Sequence, residues 1–203
     1  HKFISLLHSK GLLLRNYTQN IDGLEFKCGL PNDLLVESHG TFNRVYCMQC
    51  KQAGDTEYFW DCVAKDQLPY CTQCKQPQGI LRPDVVFFGE ALPSRFVDMR
   101  VQDMKQCDLL IVIGTSLVVY PFAGLVNDVP DTTPRLLINM DAVGPFKAIS
   151  ANNNNSGSVQ ANENGVIDVN SNVSANNSNY RDVMFLGNCD DGVKQLCKLL
   201  NWN

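Results

Sequence analysis

The sequence predicts a parallel α/β sheet with a small metal-binding module set into it. Three observations point that way. Short aliphatic runs, each fit to be buried on both faces, alternate with helical stretches. Several of those runs end in small polar residues, and in open parallel sheets ligands bind beyond the carboxyl ends of the strands. Four cysteines also stand as two C-x2-C pairs, Cys47/Cys50 and Cys71/Cys74, with twenty residues between the pairs.

In chain order, His1 to Lys10 places Phe3, Ile4, Leu6 and Leu7 at near-helical spacing, with Gly11 as the stop. Leu12 to Leu14 is read as the start of a short strand leading to Thr18. Leu34 to Val36 forms a second apolar run, ending in Ser38-His39-Gly40. A helix is expected over Thr56–Lys65 and a strand over Val85–Phe88. Pro93 to Gln106 reads as a helix opened by its proline. Leu109–Ile113, Leu136–Ile138 and Val183–Leu186 are the aliphatic strands of the second half. They are followed by Gly114-Thr115-Ser116, Asn139-Met140-Asp141 and Gly187-Asn188-Cys189 respectively. A last helix is expected from Asp191 to Leu200. Taken singly, each of these polar ends could be a plain turn. Residues 151–179 hold eleven asparagines and five serines, with no lysine, arginine or aromatic residue. Such a tract cannot bury enough apolar surface to offset its ordering entropy, so a disordered surface-loop insertion is expected there.

Composition narrows the function. Seventeen basic and twenty-one acidic residues give a net charge of −4. That argues against a chain held to nucleic acid or anionic lipid by bulk charge. The longest apolar stretch, Leu109–Ile113, is strand-sized, and no membrane span is expected. The chain opens at His1 rather than a methionine and is read as a fragment whose targeting information is missing.

The cysteine quartet carries the clearest chemistry. Thiolates satisfy tetrahedral zinc completely, and each C-x2-C turn supplies two corners. With four sulfurs bound, no position is left for water, so the metal would be structural. Two disulfides or four free thiols are the alternatives. Between Phe42 and Gln78 four basic residues (Arg44, Lys51, Lys65, Lys75) balance four acidic ones (Asp55, Glu57, Asp61, Asp66), which leaves no electrostatic footprint for nucleic acid. Five further cysteines are scattered, and a thiolate site with spare thiols suits a reducing compartment.

Tyr17-Thr18-Gln19-Asn20-Ile21-Asp22-Gly23-Leu24-Glu25 resembles a segment of the sirtuins, the NAD-dependent protein deacylases. The resemblance continues in order through Glu37-Ser38-His39-Gly40, the cysteine quartet, Arg82-Pro83-Asp84-Val85-Val86-Phe87-Phe88-Gly89-Glu90, Gly114-Thr115-Ser116-Leu117, Leu137-Ile138-Asn139 and Gly187-Asn188-Cys189-Asp190-Asp191. It is strongest to the deacetylase branch. It implies a doubly wound, Rossmann-like sheet over residues 1–41 and 79–203, with a zinc-ribbon module over 42–78. It also implies NAD and zinc as cofactors, and acetyl transfer from acetyl-lysine to ADP-ribose with release of nicotinamide.

By position, His39 would be the general base, a task suited to a side chain that ordinarily titrates near neutrality. Asn20 and Asp22 would position the ribose and the nicotinamide amide, although Asn and Asp also favour helix starts. Gln19, Asn20, Ile21, Asp22, Gly114, Thr115, Ser116, Asn139, Met140, Asp141 and Cys189 would contact NAD. Val86, Phe87, Gly89 and Glu90 would contact an extended acyl-lysine peptide, paired as a strand. The implied partners are acetylated proteins or peptides such as histones or tubulin. The implied compartment is cytoplasmic or nuclear, or mitochondrial if a targeting segment precedes His1.

One departure stands out. The family's glycine-rich first βα turn is absent from this chain. The sequence alone would be expected to fold poorly and not turn over NAD. Two other readings follow: mono-ADP-ribosyl transfer from the same NAD cleavage, and a catalytically silent NAD-binding scaffold. The missing glycine turn favours the scaffold, and retention of His39 and Asn20 speaks against it.

Overall fold

The structure is a computed structural model that describes residues 1–74, 77–148, 166–167 and 181–202. The chain divides into two compact units, His1–Met99 and Arg100–Asn203.

In the first unit, α1 (Lys2–Ser9) turns only Phe3 fully inward. The first strand, β1 (Asn16–Thr18), starts later than the sequence suggests. Leu12 and Leu14 are 60% and 40% exposed, so the aliphatic run is not itself a buried strand. β1 is followed by a single helical turn, α2 (Leu24–Lys27), and pairs in parallel with β2 (Leu35–Glu37), Thr18 opposite Glu37. An antiparallel pair follows, which the parallel expectation did not include: β3 (Gly40–Cys47) and β4 (Leu81–Val85), with Gly40 opposite Val85 and Cys47 opposite Leu81. The thirty-odd residues between them leave and return at one place, because Met48 N–H donates to the Ile80 carbonyl at 2.9 Å and the cysteines close the gap. Between β3 and β4, α3 (Thr56–Ala64) starts at Asp55, whose carboxylate accepts from Tyr58 N–H at 3.0 Å as an N-cap. Its Phe59 packs with Val45, Cys47, Cys71 and Leu81 into one apolar cluster. β4 ends at Val85, not at Phe88 as expected from its aliphatic and aromatic run. Phe87 and Phe88 are exposed and stand in a turn.

The boundary between the units falls within α4 (Ser94–Gln106). The second unit is the parallel sheet the sequence predicts. β5 (Leu110–Ile113), β6 (Arg135–Asn139) and β8 (Asp182–Leu186) run parallel, and β7 (Val166–Ile167) is added antiparallel to β8 at the edge. A short helix, α5 (Leu125–Asp128), lies between β5 and β6, and α6 (Cys189–Leu199) follows β8. Val112, Val126, Leu137, Val143, Phe146 and Met184 form the core. The Asn-rich tract read as a disordered insertion lies outside the described residues, apart from Val166 and Ile167. These two β-branched residues pair with Phe185 and Met184 and so form a strand.

A buried ion pair pins this sheet. Arg135 donates to both carboxylate oxygens of Asp182 at 2.6 Å, and to the Val126 carbonyl at 2.8 Å. The two side chains are 4% and 0% exposed. Arg135→Met takes the bidentate partner away from a buried carboxylate, and should cost about 3–5 kcal/mol, read as a fall in the thermal midpoint. The double change Arg135→Met/Asp182→Leu should recover most of that loss.

Candidate active site

In the first unit, β1 and β2 deliver two segments side by side. Ser38 N–H donates to the Thr18 carbonyl at 2.9 Å, continuing the β1–β2 pairing. The next residue is His39, at the junction of β2 and β3. Gly40 has φ +76°, and a Cβ there would stand 1.9 Å from the Asp84 carbonyl oxygen, so only glycine allows this junction. His39 Nδ1 lies 3.1 Å from the Gln19 carbonyl oxygen. A carbonyl can only accept, so Nδ1 carries the proton and Nε2 is the basic nitrogen.

The Gln19–Asp22 segment is held by its own bonds. Asn20 N–H donates to Thr18 Oγ1 at 3.1 Å, Phe42 N–H to the Ile21 carbonyl at 3.1 Å, and Leu24 N–H to Asp22 Oδ1 at 3.1 Å. Asp22 therefore supports the turn into α2, as the simpler reading of that residue holds, and it remains exposed beside Asn20. Val86 N–H donates to the His39 carbonyl at 2.9 Å. His39 is thus tied to Gln19 through its ring and to Val86 through its carbonyl, while Ile21 is held by Phe42 of β3. Arg44 braces the same neighbourhood, bonding Glu37 at 2.8 Å and Asp84 at 3.0 Å.

Beyond Val86 the chain turns through Phe87, Phe88 and Gly89 to Glu90, whose N–H closes on the Phe87 carbonyl at 3.0 Å. Phe88 is fully exposed. The Glu90 carboxylate accepts from Arg82 and from Phe87 N–H, which hold its pKa down at about 2, well below the ordinary 4.5. It is therefore ionised throughout the physiological range. The stability it adds is complete above pH 4.5 and is lost as the pH falls through 2.

The cysteine quartet is assembled as the spacing predicts. The four sulfurs lie within 4.8 Å of one another, with Cys47–Cys74 at 3.5 Å and Cys50–Cys71 at 3.8 Å. Tetrahedral zinc with Zn–S bonds near 2.3 Å requires sulfurs about 3.8 Å apart. A disulfide needs about 2.05 Å, and all four cysteines are free thiols. Backbone N–H groups of Gln49 and Cys50 donate to Cys47 Sγ, and that of Gln73 donates to Cys71 Sγ, each at 3.4 Å. The Cys50 amide, with that of Gln49, holds the Cys47 thiol at about 6 against the opposing effect of burial. At Cys74 the Gly79 amide pulls the other way, but burial and the neighbouring sulfurs prevail and push it up to about 12. The donor set, the spacing and the amide-to-sulfur bonds all fit structural zinc.

The second unit gathers its own polar edge. Gly114 N–H donates to the Ile138 carbonyl at 3.1 Å, and Gly187 N–H to the Asn139 carbonyl at 2.9 Å, so the carboxyl ends of β5, β6 and β8 stand in a row. Gly114 has φ +60°, and a Cβ there would meet Cys189 Sγ at 3.3 Å. Asn139 is buried and its amide donates to the Asp141 carbonyl at 2.8 Å, while Met140 and Asp141 face solvent. Thr115 Oγ1 accepts from Leu117 N–H at 3.2 Å, and Ser116 is exposed beside it. Among the described residues this edge offers hydroxyls, amides and a carboxylate, and the first turn of α6 adds Asp190 and Asp191. Hydroxyls at strand ends can donate to phosphate or ribose, and an acidic or amide side chain there can hold ribose hydroxyls. Thr18–Asp22 belongs to the first unit.

Residues 1–121 match the model of the Sir2 family, which is more than half of the chain. The chain belongs to the Sir2 family, the sirtuins. It is 46% identical over 204 residues to the NAD-dependent deacetylase sir2A of Dictyostelium discoideum, covering 100% of this chain and 35% of that protein. It is 40% identical over 203 residues to the NAD-dependent protein deacetylase hst2 of Schizosaccharomyces pombe, and 42% over 202 residues to the NAD-dependent protein deacetylase sirtuin-3 of Mus musculus. Each of these alignments covers 100% of this chain and 51% of the relative. The chain thus spans from about a third to about half of the length of these sirtuins. Among the described residues of this sirtuin chain no helix is long and apolar enough to cross a membrane. One feature of the site escaped the sequence reading. Arg82 sits inside the quoted motif, and its eight-residue separation from Glu90 is bridged only once the turn folds.

Proposed function

We propose that the protein is an NAD-dependent lysine deacetylase, in which His39 acts as general base. The observation that carries this reading is the bond between His39 Nδ1 and the Gln19 carbonyl, which fixes the tautomer that leaves Nε2 able to take a proton. NAD supplies the electrophilic ribose carbon and the leaving nicotinamide. Gln19, Asn20, Ile21 and Asp22 bind and orient the ribose and nicotinamide, and the side chains of Asn20 and Asp22 are exposed. Gly114, Thr115 and Ser116 bind phosphate or ribose, Asn139, Met140 and Asp141 hold the adenosine ribose, and Cys189 approaches the adenine. Val86, Phe87, Gly89 and Glu90 take the acyl-lysine peptide as an added strand. Zinc holds the ends of β3 and β4 together and takes no part in the chemistry.

The relatives named as NAD-dependent protein deacetylases support this activity, and acetylated proteins such as histones or tubulin are the proposed substrates. The nine free cysteines fit a reducing cytoplasmic or nuclear compartment, or the mitochondrion. The test is the full zinc-loaded protein incubated with an acetyl-lysine peptide, with and without NAD. Free lysine should form only with NAD. ADP-ribosylated protein without deacetylated peptide would replace this reading with mono-ADP-ribosyl transfer, and no NAD cleavage by a folded protein would replace it with the silent scaffold.

A further inference from the structure

We propose that Arg82 and Glu90 form a clasp that positions the Val86–Gly89 turn for the peptide, so that Arg82 governs substrate binding without touching substrate. The inference rests on the proposed reading of Val86 and Phe87 as peptide contacts.

Arg82 stands on β4 opposite Tyr46 of β3. Its guanidinium donates to both oxygens of Glu90, Nη1 to Oε1 at 2.7 Å and Nη2 to Oε2 at 2.9 Å, and Nη2 also donates to the Val85 carbonyl at 2.7 Å. This bidentate fork fixes direction as well as distance. Glu90 Oε2 in turn accepts from Phe87 N–H at 2.9 Å. One carboxylate therefore ties the far end of the turn to both its beginning and the sheet behind it.

The same guanidinium lies over two rings, 4.5 Å from the centroid of Phe87 and 5.6 Å from that of Tyr46. The Phe87 ring thus stays beside the cation while Phe88 is fully exposed. Arg82 Nε is buried without a hydrogen-bond partner, so every bond this side chain makes is directed at the turn and its base. Without the clasp, a solvated turn with two exposed phenylalanines would have to be ordered by each arriving peptide, which weakens binding. The base of the turn has a separate anchor, Val86 N–H to the His39 carbonyl, so the histidine keeps its place when the clasp is opened.

The test compares wild type, Arg82→Met, Arg82→Lys and Glu90→Gln in the full zinc-loaded protein, with zinc content and thermal midpoint as controls. Arg82→Met should raise the peptide KM about tenfold while the NAD KM and kcat stay within about twofold. Arg82→Lys, which keeps the cation but loses the fork, should recover only a small part of the loss. Glu90→Gln should raise the peptide KM about threefold. An active wild type with an unchanged peptide KM in Arg82→Met overturns the clasp alone. So does a parallel rise of both KM values with loss of zinc, which marks a merely structural residue. If Arg82→Met does not fold, an unchanged peptide KM in Glu90→Gln overturns the clasp. A folded wild type that deacetylates nothing overturns the proposed function and the clasp with it.

Discussion

Replacing His39 with alanine should lower the rate of peptide deacetylation by about 10²–10⁴-fold, the range over which a positioned general base contributes. The zinc content and thermal midpoint should change little, because the imidazole is only half-buried and the junction is held by backbone bonds at Ser38 and Val86. The partner that sets the tautomer is the main-chain oxygen of Gln19, not its side chain. Gln19→Ala should therefore leave Nδ1 protonated, and ¹⁵N chemical shifts of the His39 ring should be the same in that variant as in wild type. A ring protonated at Nε2 in the resting protein would contradict the role given to it. A deacetylation rate unchanged in His39→Ala would remove His39 from the chemistry.

Stripping zinc, or replacing Cys47 with alanine, should abolish activity and unfold the module. Structural zinc contributes about 10–16 kcal/mol of apparent binding free energy at neutral pH, comparable with a whole domain's net stability. Cys47 and Cys71 are buried in the same cluster as Val45, Phe59 and Leu81, so the metal and the local core stand or fall together. The loss reaches the site through both strands. β3 begins immediately after His39, and β4 runs directly into the turn that carries Val86 and Phe87. Metal analysis should find one zinc per chain. Chelation should lower the circular dichroism signal and abolish activity together, and added zinc should restore both in the wild type but not in Cys47→Ala. Full activity in a zinc-free protein would show that the module has no part in holding the site.

The parallel sheet was readable because β5, β6 and β8 are near-continuous aliphatic runs whose burial comes from their own residues. The quartet was readable because sulfur spacing constrains geometry without any knowledge of the fold. β3 was not foreseen. Phe42, Asn43 and Arg44 face solvent in succession, and the pairing with β4 shifts between Thr41 and Val45, so no alternation marks the strand. Leu12 and Leu14 misled in the opposite sense, since aliphatic composition is no record of burial and the strand lies in the more polar Asn16–Thr18. At the site, His39 and the Gln19–Asp22 segment could be named from motif order. The bond from the imidazole to the Gln19 carbonyl could not, because it joins residues 20 apart in sequence that strand pairing brings together. The Arg82 clasp was hidden for the same reason. Its partner Glu90 comes within reach only when the turn closes.

The most direct test of the account is the stoichiometry of one reaction. The full zinc-loaded protein would be mixed with NAD and an acetyl-lysine peptide, and nicotinamide, free lysine peptide and acetylated ADP-ribose followed together by mass spectrometry. The account predicts equal amounts of the three, with lysine peptide and acetylated ADP-ribose lost in His39→Ala. Nicotinamide released without any loss of acetyl groups from the peptide would contradict it.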